Sequence, residues 1–259
     1  MGEVLLITSG KGGVGKSTVA VNLAASLARL RRKVILIDGD TGLRSLDVLL
    51  GVENNVVYDM TDVVEGVCKL KQAVVKSRDV EGLYMLPAAM LRETASVSPE
   101  QMKDIVSQLR GDYDFIFIDC PAGVDLGFHT AASAGVDRAV IVAQNDVISV
   151  RDAERVKSLL RREGVNDMML IMNRVQPEKL KRRQPSSCEQ LAERLELPLI
   201  GIIEARAVFC QAAQAGRPVV LDDHELAAAF SVSARLILGE KARVKPVREM
   251  GFWERLLKG

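Results

Sequence analysis

Short apolar runs recur along the chain, at residues 4–8, 34–37, 83–86, 115–118, 139–143, 168–172 and 199–203. Each is continuous rather than alternating, as in a parallel strand covered on both faces. Between most of them the period changes to that of a helix. Residues 18–30 put Val19, Leu23, Leu27 and Leu30 on one stripe. Ser98-Pro99-Glu100-Gln101 is a capping box with proline at the first helical position, ahead of a helix over 102–109. Ser186-Ser187-Cys188-Glu189 opens another helix in the same manner. Strands alternating with helices predict an α/β fold, a doubly wound, mostly parallel sheet flanked by helices, with ligands at the carboxyl ends of the strands.

The pattern stops near Leu238. Residues 239–250 are charged and lack apolar periodicity, and 251–259 read Gly-Phe-Trp-Glu-Arg-Leu-Leu-Lys-Gly. The expected organisation is a folded domain over 1–238, a flexible charged linker over 239–250 and an amphipathic tail helix over 251–259. On that helix Phe252, Trp253, Leu256 and Leu257 share one face, while Arg255 and Lys258 can meet anionic head groups. Four such side chains give weak binding for one tail, a switch rather than a permanent anchor.

Composition narrows the class without deciding it. With 259 residues, 48% apolar side chains and 35 basic against 34 acidic residues, the chain suits one soluble domain rather than a disordered or nucleic-acid-coating protein. Cys68, Cys120, Cys188 and Cys210 are scattered and form no CxxC pair, so neither a disulfide framework nor a zinc site is expected, and a reducing cytosol fits. Met1 leads straight into a core strand, with no signal peptide expected. Leu6 stands where a myristoylation motif needs Ser or Thr. No apolar segment approaches the roughly 20 residues of a membrane span, so membrane contact is expected to be peripheral.

Gly10-Lys11-Gly12-Gly13-Val14-Gly15-Lys16-Ser17 satisfies G-x-x-x-x-G-K-S/T after a strand and at the opening of a helix that begins with Thr18. Glycines let backbone N–H groups converge on phosphate oxygens, and the helix terminus adds partial positive charge. Lys16 should reach the β- and γ-phosphates and Ser17 should ligate Mg²⁺. A tight turn alone explains the glycines but not Lys16 and Ser17. ATP and Mg²⁺ are the expected cofactors. Asp119 ends 115–119 as a Walker B carboxylate placed to hold the metal through water.

Lys11 is not required by the general motif. Here the sequence resembles the deviant Walker A (ParA/MinD) family of P-loop ATPases, in which the early lysine crosses a dimer interface to the partner's nucleotide. The resemblance implies an ATP-dependent homodimer. It implies that Asp38-Gly39-Asp40 is the first switch, with Asp40 on the attacking water and Asp38 close to the metal. It makes Asp119-Cys120-Pro121-Ala122-Gly123 the second switch, with the Gly123 amide on the γ-phosphate. Asn173 in Met172-Asn173-Arg174, ending the sixth apolar strand, becomes the adenine-contacting residue, with Arg174 beside it. Ile202-Ile203-Glu204-Ala205-Arg206 departs from the family's Ile-Pro-Glu-Asp-like loop, while Gly216-Arg217-Pro218 matches its later turn.

Within that family, Gly42-Leu43-Arg44-Ser45-Leu46-Asp47, Leu50-Gly51, Val56-Val57-Tyr58-Asp59, Ser149-Val150-Arg151-Asp152 and the tail look like the septum-site-determining branch. This implies a partner surface at Arg151 and Asp152, a MinC-like division inhibitor, a MinE-like activator, an anionic lipid surface and a place on the inner face of the cell membrane. The runner-up is a ParA-like or flagellar-number-regulating ATPase acting on DNA or at a pole. Lys179-Leu180-Lys181-Arg182-Arg183 is the one basic cluster for it and reads as a solvated loop. An iron–sulfur role is disfavoured because no cysteine follows Cys120 at close spacing. Both switch aspartates argue against a scaffold that binds ATP without turnover.

Overall fold

The computed structural model describes residues 1–40, 44–88, 97–121, 123, 126–176 and 187–246. In chain order the elements are β1 (Glu3–Thr8), α1 (Lys16–Arg29), β2 (Val34–Asp38), α2 (Leu46–Leu49), α3 (Met60–Val64), α4 (Leu70–Ala73), β3 (Val75–Lys76), β4 (Leu83–Leu86) and α5 (Pro99–Leu109). There follow β5 (Phe115–Asp119), α6 (Leu126–Ala132), β6 (Arg138–Ala143), α7 (Val147–Arg162), β7 (Asp167–Val175), α8 (Cys188–Leu195), β8 (Leu199–Glu204), α9 (Val208–Gln214) and α10 (His224–Ile237).

The strands form one sheet in the order β3-β4-β2-β5-β1-β6-β7-β8. All neighbours are parallel except β3 and β4. Strand pleating sorts the continuous apolar runs into two cores. Val4, Leu6, Ile35, Ile37, Ile116 and Ile118 face the layer of α5, α6, α7 and α8. Leu5, Ile7, Val34, Leu36, Phe115 and Phe117 face α1 and α10. Val19, Leu23 and Leu27 of the α1 stripe are fully buried against the second face, with Phe230 of α10.

The predicted runs all become strands, and Ser98 caps α5 in a capping box with Gln101. Two local expectations shift. The cap of α8 is Ser187, paired with Gln190, one residue later than the serine–glutamate spacing suggested. Asn173 does not end its strand, because β7 runs on to Val175 through a register irregularity against β8. Beyond α10, residues 239–246 form no helix or strand, and Val244 packs against the core. The tail residues Phe252, Trp253, Leu256 and Leu257, the 179–183 cluster, Gly42, Leu43 and Ala122 lie outside the described residues.

Candidate active site

The sheet order sets β2 and β5 side by side, with β1 next to β5, so three carboxyl ends meet. From β1 the chain enters the glycine-rich loop and then α1, whose N-cap is Gly15 at φ +87°. A glycine is required there twice over. Its backbone is left-handed, and a Cβ would lie 2.5 Å from Asn173 Nδ2. Helices α3, α5, α7, α8 and α10 are closed by the side chains of Asp59, Ser98, Asp146, Ser187 and Asp223. Helix α1 has no side-chain cap and no acidic residue in its first turn. Its free N–H groups are left to an anion.

Lys16 turns back from α1, and its Nζ donates to Asp119 Oδ1 at 2.8 Å. Asp119 is fully buried, and burial raises its pKa against the lowering influence of Lys16 and the Ser17 hydroxyl. Its other oxygen, Oδ2, is buried without a hydrogen-bond partner among the described residues. Asp38 lies opposite Asp119 in register. Burial, then the charge of Asp119, pushes the Asp38 carboxyl up to about 7, although it accepts from the amides of Leu46 and Asp40. Gly39 passes so close to β5 that a Cβ would sit 2.7 Å from the Asp119 carbonyl. Asp40 follows, half-buried.

On the other flank, Arg174 adopts φ +53°, a left-handed conformation at the β7 irregularity, beside the buried Asn173. Asn173 Nδ2 donates to the Val14 carbonyl at 2.7 Å, leaving its second N–H and its oxygen unassigned by that bond. The 202–206 segment is anchored by Ala205 N donating to Val175 O at 2.9 Å and by Arg206 paired with Asp223 and Glu225. Helix α7 meets the glycine-rich loop directly. A Cβ on Gly10 would lie 2.5 Å from the Asp152 carbonyl. Lys11 and Arg151 are exposed on this flank, as are Val147 at 72% and Ile148 at 63%.

The ParA family model, described as NUBPL iron-transfer P-loop NTPase, matches residues 1–237. The chain is 40% identical over 252 residues to the septum site-determining protein MinD of Bacillus subtilis, covering 96% of this chain and 94% of that protein. The chain in the MinC:MinD cell division complex of Aquifex aeolicus superposes with a TM-score of 0.85 at 39% identity, covering 94% and 98% of the two chains. MinD of Pyrococcus horikoshii, solved with Mg-ADP, gives 0.81 at 31% identity over 92% and 96%. The chain belongs to the ParA/MinD family of P-loop ATPases.

As a MinD-type member of that family it is a cell-division ATPase that hydrolyses ATP with Mg²⁺. The residues present fit the ion. Ser17 supplies a hydroxyl, Asp38 and Asp119 supply carboxylates, and the buried, unpartnered Oδ2 of Asp119 offers a lone pair. Mg²⁺ typically takes one or two carboxylates together with phosphate oxygens and water. When bound, it neutralises phosphate charge and offsets the crowding of the two carboxylates.

The structure thus brings together Gly10–Thr18, Asp38, Asp40, Asp119, Asn173 and Arg174. Gly123, at φ +97°, lies four residues beyond Asp119 with open space where a Cβ would stand. Sequence reasoning missed two contributors. The Leu46 amide ties the segment after Asp40 to Asp38. Gly39 is fixed by its approach to β5, and its place between two aspartates was the available signal.

Proposed function

We propose that ATP joins two copies of the chain with their glycine-rich loops face to face, the Lys11 of each reaching the nucleotide of the other. Lys16 and the α1 N-terminus hold the phosphates, Asn173 reads the adenine edge, and Asp40 orients the water for hydrolysis. Paired tails then hold the dimer on an anionic membrane at the cytoplasmic face, and hydrolysis releases it. The observation that carries this reading is Lys11 itself: an exposed lysine one residue beyond the contact between Gly10 and α7, with no ion pair to it among the described residues.

The exposed face of α7, with Val147, Ile148, Arg151 and Asp152, is the surface for a MinC-like division inhibitor and a MinE-like activator. The complex of an Aquifex aeolicus relative with MinC supports the first of these. Among the described residues no helix is long and apolar enough to cross a membrane, so attachment rests on the tail.

The test is co-sedimentation with anionic vesicles, with ATP against ADP, for the intact chain and for one ending at Met250. ATP-driven sedimentation of the intact chain alone upholds the reading. If neither form sediments, the membrane role falls and DNA loading becomes the reading to pursue.

A further inference from the structure

Helix α1 leaves the nucleotide site and ends about 20 Å away, at the amino end of the sheet where β2 begins. A Schellman turn closes it, with Arg31 N donating to Ala28 O at 2.8 Å and Arg32 N to Leu27 O at 3.1 Å. The left-handed residue of such a turn is ordinarily glycine, yet here it is Arg31 at φ +61°. The chain tolerates that strain to keep an exposed arginine. Lys33, two residues on, is pinned: its N donates to Asp114 Oδ2 at 2.7 Å and its O accepts from the Asp114 amide at 2.8 Å. Opposite stands the turn over 79–82, held by Val34 N donating to Gly82 O at 2.8 Å. Between the two lies an open hollow of about 690 Å³. That is within the roughly 300–1,000 Å³ of ligand sites.

Four exposed cations, Arg29, Arg31, Arg32 and Lys33, line the hollow against two carboxylates, Asp79 and Glu81. The local excess is thus two positive charges, in a whole chain whose formal charge is +1. Among the described residues none of the four cations has an ion-pair partner. Arg29 Nη1 donates to Val220 O at 2.7 Å, and Lys33 Nζ lies 4.7 Å from the centre of the Tyr113 ring and 5.5 Å from that of Tyr84. Those contacts hold two of the side chains without neutralising them. The partial negative charge at the end of α1 accounts for Arg29, which sits in its last turn. It fades beyond that turn and does not account for three further cations.

We propose that this hollow is a second anion site, separate from the nucleotide site, for a group that carries two or more phosphates. An excess of two positive charges calls for at least a dianion, and guanidinium forks take phosphate oxygens in pairs. A short polyphosphate in solution and the headgroup of a multiply phosphorylated lipid offer the same chemistry. The proposal stands apart from the dimer and membrane readings and does not rest on them.

The soluble probe is inorganic tripolyphosphate, titrated calorimetrically into the full chain with its nucleotide site already filled by ADP. One further site per chain is expected. Arg31→Gly combined with Arg32→Gln removes two guanidinium groups, and glycine suits φ +61°, so the denaturation midpoint should not fall. Tripolyphosphate binding at the further site should weaken about ten-fold or more. In the second arm both full chains are sedimented with vesicles containing phosphatidylinositol bisphosphate. The tail is the same in both, so a smaller bound fraction for the variant reports the hollow. A loss with tripolyphosphate alone assigns a soluble ligand, and a loss on vesicles, with or without the first, assigns a lipid headgroup. If the two chains behave alike in both arms, the proposal is overturned.

Discussion

Lys16 Nζ and Asp119 Oδ1 are 2.8 Å apart, with side chains only 8% and 0% exposed. The lysine of the glycine-rich loop is paired with the carboxylate that ends β5. The pair satisfies two charges that neither burial nor the apolar strands around them would tolerate singly. On the proposed function, nucleotide phosphates compete for Lys16 and a cation takes its place at Asp119.

Lys16→Ala strands Asp119. We expect loss of ATP binding in calorimetric titration, and a fall in unfolding free energy of about 3–5 kcal/mol in denaturant melts. Lys16 lowers the Asp119 pKa, so its removal drives that pKa further up. The loss should therefore be larger at pH 8 than at pH 5. A variant as stable as the parent at pH 8 refutes the buried-pair account.

Asp38 gives a pH dependence of its own. Its pKa rises from 3.8 to about 7, mainly by burial. Below pH 4 the group is protonated in both states. Between the two values only the folded chain holds the proton, so stability falls as pH rises through 7, by up to about 4 kcal/mol. Asp38→Asn should flatten this slope and melt above the parent at pH 8 in EDTA. Parallel stability curves for the two proteins would contradict it.

Asp40→Ala should retain ATP binding and ATP-driven dimerisation while steady-state phosphate release falls by roughly 100-fold or more. Unchanged phosphate release would take Asp40 out of the chemistry.

Asn173→Ala removes the proposed adenine contact and the observed donor to the Val14 carbonyl. ATP affinity should drop about ten-fold or more, with stability lower by about 1–3 kcal/mol for the unsatisfied carbonyl. Discrimination against GTP should narrow. Equal ATP affinity in competition titrations would place the base elsewhere. By the same geometry Gly15→Ala should weaken nucleotide binding, since its φ of +87° strains any side chain and its Cβ would push the Asn173 amide aside.

Much of this arrangement was legible because the strands are buried on both faces and so write uninterrupted apolar runs. The glycine-rich loop, Asp38, Asp40 and Asp119 were legible because each follows such a run directly. The shortest helices and the edge strand were not. Strand β3 and helices α2, α3 and α4 are too short to show a period, and tertiary partners set them, as Asp38 does in accepting from Leu46 at the head of α2. Asn173 is buried against the Val14 carbonyl beside a left-handed Arg174, which nothing in Met-Asn-Arg announces. Two adjacent serines left the α8 cap ambiguous until Gln190 chose Ser187.

Gly51 and Gly216 stand at positions singled out separately in the sequence, yet their backbones touch. A Cβ on Gly51 would lie 2.6 Å from the Gly216 carbonyl, and one on Gly216 2.7 Å from the Gly51 Cα. With main chain on main chain there is no rotamer to yield, and the contact behaves as a hard stop. Helix α2 follows the Asp38–Asp40 segment, and the Gly216 turn follows α9, beyond the loop after β8. Neither turn can therefore move toward the other, and the contact fixes the spacing between the end of α2 and the end of α9.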